Sequence, residues 1–116
     1  MKSMLTIEKL KDYGADIDEA LTRCMGKEDF YIMLCGMVKD DKNFEGLKTA
    51  LAENDLKKGF EAAHALKGVV SNLALKPLLE PVVEITELLR SGTEMDYTEL
   101  LDRIEKEKNR FLDLFN

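Results

Sequence analysis

The chain has no tryptophan, two prolines, two cysteines and a single histidine among its 116 residues. With aromatics at 7%, any core has to be aliphatic, built from Leu, Ile, Val, Met and Ala. Cys24 and Cys35 alone make neither a disulfide framework nor a zinc site, and are read as small buried apolar residues. No Cys or carboxylate falls into a ligand pattern with His64, so no metal or haem site is expected. No Ser-His-Asp or paired-carboxylate arrangement supports a hydrolytic enzyme. Net positive charge is also lacking: the net charge is −6, which disfavours nucleic acid as a partner, since phosphate neutralisation needs clustered Lys and Arg. No run approaches the roughly 20 apolar residues of a membrane helix. The first residues, MKSMLTIEKLKDYG, break their apolar positions with charge and lack the continuous apolar core of a signal peptide. The expectation is a soluble, cytoplasmic protein that does not bind membranes.

What is present is helical periodicity. A hydrophobic fraction of 45% suffices for one core, and the length fits one domain. No β-type alternation of any length occurs, and apolar residues recur at helical spacing nearly throughout. A short helix over Thr6 to Tyr13 ends at Gly14. Asp16 or Asp18 can cap a second, with Ile17, Ala20, Leu21 and Cys24 on one face. Gly26 breaks it. Phe30, Met33, Leu34, Met37 and Val38 then follow the spacing of a buried stripe. Phe44, Leu47 and Leu51 make a shorter helix stopped by Asn54, and Asp55 caps the next segment, which runs to about Leu75. Pro81 suits a first turn, so the following helix is expected to start near Leu79 to Pro81, or to kink there. After the turn at Ser91-Gly92-Thr93, a last helix from about Asp96 carries Tyr97, Leu100, Leu101, Ile104, Phe111 and Leu114. Short connections favour antiparallel neighbours, which predicts an all-α, up-and-down antiparallel four-helix bundle with one or more extra short N-terminal helices.

The segment from Asp55 to Leu75 carries the histidine. At about 100° per residue, Ala62, Leu66, Val69 and Leu73 fall within about 40° of the pole opposite His64, with Gly59 and Val70 beside them. His64 therefore faces away from the core. Its neighbours on that face are Lys57, Phe60, Glu61, Lys67, Gly68 and Ser71. Gly68 sits in a helix interior, where glycine costs about 1 kcal/mol against alanine. It either leaves bare backbone beside the imidazole or permits close packing against a neighbouring helix. Lys67 puts positive charge within reach of anything negative on His64, and Phe60 offers an aromatic docking surface. Lys57, Lys58, Lys67 and Lys76 make this helix locally basic, complementary to an acidic partner pocket. A lone surface histidine usually has no task. An imidazole that is largely unprotonated at neutral pH, with lysine at i+3 and glycine at i+4, has the parts of a nucleophilic acceptor of an anionic group.

The segment FEAAHALKGVVSNLALKPL resembles the signature of the histidine-containing phosphotransfer (HPt) domain family: alanine, the phosphorylated histidine, two residues, Lys-Gly, then a Leu-Gly-Leu-like stretch. His64 matches the phosphoacceptor, Lys67 the charge-neutralising lysine and Gly68 the glycine beside it. IDEALTRCMGKEDFYIMLCGMV resembles the family's first bundle helix, glycine-containing break and second helix. Two positions depart: Ala74 stands where glycine is frequent and Met37 where phenylalanine is common, both expected to be changes of packing. The resemblance implies a single domain over residues 1–116, a bundle over 14–115 and an N-terminal extension over 1–13 that covers one end. It implies a stand-alone, monomeric carrier, not an enzyme, that takes a phosphoryl group on His64 in a two-component multistep phosphorelay. The partners would be response-regulator receiver domains, a hybrid histidine kinase, or both. The amino-terminal domain of a chemotaxis-type kinase is a close relative of this reading. Lys57, Phe60, Glu61, Lys67, Gly68 and Ser71 would contact phosphoryl group or partner. The carrier itself would need no cofactor, since Mg²⁺ belongs to the receiver. The alternative is a helical interaction module that binds a receiver or kinase without carrying phosphate, with His64 incidental.

Overall fold

A computed structural model describes residues 4–116, and residues 1–3 of the expected N-terminal extension lie outside it. Among the described residues the chain forms seven helices and no strand. They are α1 (Ile7–Tyr13), α2 (Ile17–Arg23), α3 (Glu28–Val38), α4 (Asn43–Ala52), α5 (Leu56–Asn72), α6 (Lys76–Arg90) and α7 (Thr98–Asp113). None is long and apolar enough to cross a membrane.

Local chemistry explains most boundaries. The hydroxyl of Thr6 caps α1 by accepting from the Lys9 amide at 3.1 Å, and Gly14 closes it with a left-handed φ of 118°. Asp16, not Asp18, caps α2, accepting from the Glu19 amide at 3.1 Å. Asp55 caps α5 by accepting from the Lys58 amide at 3.0 Å. Asn54 ends α4 with φ 58°, a conformation asparagine tolerates better than most residues.

Two expectations about elements fail. Helix α6 begins at Lys76, ahead of the predicted start, with Pro77 in its first turn and Pro81 buried inside it. Pro81 lies near enough to the N-terminus that its missing amide removes only an early intrahelical bond, and its ring is packed in the core. In α3 the buried arc is Tyr31, Cys35 and Val38, while Phe30, Met33 and Met37 are exposed. Residues 30–35 are all apolar, so two overlapping stripes fit helical spacing, and tertiary packing selects the one carrying Tyr31. Its hydroxyl donates to the Leu73 carbonyl at 2.9 Å and ties α3 to the end of α5.

Helix α5 packs between α4 and α6, and α6 packs on α7. Leu47, Leu66, Val70, Leu78, Val82 and Ile85 are all buried, but the core is not purely aliphatic as expected: Tyr31 and Phe111 are fully buried in it, and the described methionines are exposed. Gly59 makes the α4–α5 approach possible, since a Cβ there would stand 3.1 Å from Leu51 Cδ2. The N-terminal helix lies against the last one. Tyr13 donates to the Glu107 carbonyl at 3.1 Å and meets Phe111 edge-on at 5.8 Å. Lys9 Nζ donates to the carbonyls of Leu114 and Asn116, each at 3.3 Å, where a cation suits the negative end of α7. Burial raises the pKa of both Tyr13 and Tyr31 above the usual phenol range. It also pushes the Cys35 thiol up to about 12. Both cysteines are free and buried.

Ala74 is fully buried and has φ 54°, a left-handed conformation just beyond the end of α5. The departure from glycine there is conformational as well as a matter of packing. Ala74 accepts backbone strain of roughly 1 kcal/mol or more in return for a buried methyl.

Candidate functional site

The capped, 17-residue helix α5 presents His64 to solvent. Its buried residues are Gly59, Ala62, Ala63, Leu66 and Val70, the arc opposite the imidazole. Val69, expected in that arc, is 37% exposed instead. The buried arc is centred on the α4 and α6 side, which leaves Val69 at its edge.

The Phe60 ring stacks on the imidazole with centroids 5.5 Å apart and planes at 22°. Gly68, one turn on, is exposed, and a Cβ built there meets nothing within 4 Å. The close-packing explanation for Gly68 therefore fails, in contrast to Gly59 on the same helix. Ser71 is half-buried, and its carbonyl accepts from the Arg23 guanidinium. Lys57 and Glu61 are exposed on the same side. Lys67 is held: its ammonium lies 3.6 Å from Glu87 Oε2 on α6.

Sequence reasoning missed two residues here. Glu87 also pairs with Arg90, whose Nε is 3.3 Å from Glu87 Oε1. The Arg90 guanidinium covers the Phe60 ring at 5.0 Å. Arg90, Phe60 and His64 thus form a run of stacked groups, and Glu87 links Arg90 to Lys67. The i, i+3 spacing of Glu87 and Arg90 is visible in the sequence, but not that it faces His64.

The surface is less basic than the lysines alone suggest. Lys67 pairs with Glu87, and Lys76, which belongs to α6, pairs with Glu19 at 2.9 Å. On the other side of His64 a groove of about 670 Å³ runs between α3 and α5. Leu34, Met37, Gly68 and Val69 line it, with Asp41 and Asn72 as polar members. Met37, expected in the core, is 63% exposed and forms part of this wall. The exposed Phe30 and Met33 extend the apolar arc of α3. The arrangement offers an accessible nucleophilic nitrogen, bare backbone beside it, one cation at i+3 and an apolar strip for a partner.

The Hpt domain family model matches residues 38–113. The chain belongs to the Hpt domain family. Hpt domains are phosphocarrier modules that work with receiver domains and histidine kinases in phosphorelays. No curated protein and no solved structure matches the chain. The match begins at Val38, yet Leu34 and Met37 wall the groove beside His64 and Tyr31 anchors the end of α5. Part of the surface around the histidine thus comes from residues ahead of the matched segment.

Proposed function

We propose that this chain is a cytoplasmic histidine phosphotransfer protein that accepts and donates a phosphoryl group on His64 in a multistep phosphorelay. The observation that carries the proposal is the exposed imidazole with open Gly68 backbone one turn away and Lys67 at i+3. A partner's active site can close over such a face without meeting a side chain at position 68. The family membership supplies the class of reaction.

In the transfer, a ring nitrogen of neutral His64 gives its lone pair to the phosphorus of a receiver's aspartyl phosphate. The P–O bond to the aspartate breaks, and its electron pair stays on the carboxylate. The other ring nitrogen keeps its proton, so the product is a phosphorylated imidazolium. The reverse step returns the group to an aspartate. Lys67 offsets the phosphoryl charge, and Phe60 sets the plane of the imidazole. Catalysis and Mg²⁺ belong to the partner, whose metal neutralises transferred charge. The apolar strip of Phe30, Met33, Met37 and Val69 supplies docking area, with Lys57, Glu61 and Ser71 at its margin.

In this proposal residues 14–115 form an up-and-down four-helix bundle that acts as one monomeric unit, and the N-terminal extension covers one end. The test is His64→Gln, which keeps a polar side chain and removes the nucleophile. With a phosphorylated receiver as donor, the variant should take up no phosphoryl group while still binding the receiver. A variant that relays phosphate as well as the wild type would rule out His64 as the carrier, whereas a wild type that binds the receiver but takes up no phosphoryl group would leave only an interaction module.

A further inference from the structure

The site holds a carboxylate where an acceptor of an anionic group has least use for one. Glu87 Oε2 lies 3.6 Å from Lys67 Nζ, the cation nearest His64 in sequence. Glu87 is itself fixed by Arg90 at 3.3 Å, and Arg90 is laid over Phe60, which stacks on His64. We propose that Glu87 is a positioning residue that occupies Lys67 in the unphosphorylated carrier and thereby limits how firmly His64 keeps its phosphoryl group. This rests on the carrier reading above and deepens it.

Two electrostatic effects point the same way. Before phosphorylation, the Lys67–Glu87 pair stabilises the empty state. After it, Lys67 can serve the phosphoryl oxygens only by leaving Glu87, and the Glu87 charge then repels the new dianion. Both favour release. A relay station benefits from this, because a group held too firmly on His64 would not move on. The side chain of Lys67 is 30% exposed and that of Glu87 54%, so solvent screens the pair. Exposed pairs of this kind change an equilibrium by about one-and-a-half- to five-fold.

The experiment uses phosphoramidate as donor, so no partner needs to be known. The donor's P–N bond breaks, ammonia leaves, and the phosphoryl group forms a new P–N bond to His64. Phosphohistidine is followed by ³¹P NMR in the wild type, in Glu87→Gln and in Glu84→Gln. Glu84→Gln matches the net charge but alters a carboxylate that pairs with Arg103, 3.3 Å away on α7. Glu87→Gln should raise phosphohistidine occupancy and lifetime by about one-and-a-half- to five-fold at low salt. The gain should vanish in 1 M NaCl, where the Debye length is about 3 Å, and Glu84→Gln should match the wild type. A Glu87→Gln protein equal to or below the wild type at low salt overturns the inference, as does an equal gain in Glu84→Gln. Either result leaves the carrier reading standing. A wild type that takes up no phosphoryl group on His64 defeats that reading, and the inference with it.

Discussion

Gly68 is open to a test that separates stability from function. It lies inside α5 without a positive φ, and nothing would touch a Cβ placed there. Alanine should therefore gain the helix-propensity difference of about 1 kcal/mol with no steric penalty to offset it. For 116 residues the unfolding entropy is about 0.24 kcal/mol/K, so Gly68→Ala should melt about 4 °C higher. Gly59→Ala in the same helix should gain less, because its Cβ would press on Leu51 Cδ2 at 3.1 Å. Thermal unfolding followed by far-UV circular dichroism measures both. Gly68→Gln should also be at least as stable as the wild type, yet lose tenfold or more in phosphoryl uptake from a receiver, which needs only about 1.4 kcal/mol of lost docking. If Gly68→Ala melts lower than the wild type, the glycine has a structural duty that the geometry misses. If Gly68→Gln relays at the wild-type rate, the bare backbone is not kept for a partner.

Three further outcomes follow from the packing. Tyr31→Phe removes the bond to the Leu73 carbonyl and should cost about 1 kcal/mol in urea unfolding, with more if that carbonyl is left without a partner. Asp55→Ala removes the cap of the histidine helix and should also cost about 1 kcal/mol by the same assay. Folding raises the pKa of Cys35 from 9.0 to about 12 and lifts Tyr13 and Tyr31 above 10.0, so the folded state binds protons more tightly than the unfolded one. That stability is fully present below pH 9 and drains away as pH rises toward 12, by up to about 1.4 kcal/mol per pH unit for each group. The urea midpoint should therefore stay level near neutrality and fall steadily above pH 9.

Much of this was legible in the sequence, for identifiable reasons. Caps are local, so Asp16, Gly14 and Asp55 mark helix ends without tertiary information. The apolar arc of α5 is unambiguous enough to turn His64 outward. Helix α3 failed because apolar residues fill most of its circumference, and the choice between Phe30 and Tyr31 as the buried ring depends on the hydrogen bond to Leu73, 42 positions away. Val69 failed at the margin of an arc, where a shift in packing direction decides exposure. Glu87 and Arg90 could not be placed beside His64, since their position depends on the register of α6 against α5. Helix α6 also starts at Lys76, three to five residues before the predicted start. At Ala74 the sequence suggests only a change of packing, because a left-handed φ leaves no trace in apolar periodicity.

Phosphoryl transfer through this chain rests on one nitrogen-bearing side chain, His64, which mass spectrometry can follow. The protein is mixed with a phosphorylated receiver domain and Mg²⁺, then digested and mapped under alkaline conditions. The expected result is a gain of one phosphoryl group on the peptide containing His64, lost on brief acid treatment and stable in base. No phosphoryl gain on that peptide, or an acid-stable phosphate on a serine or threonine instead, would contradict it.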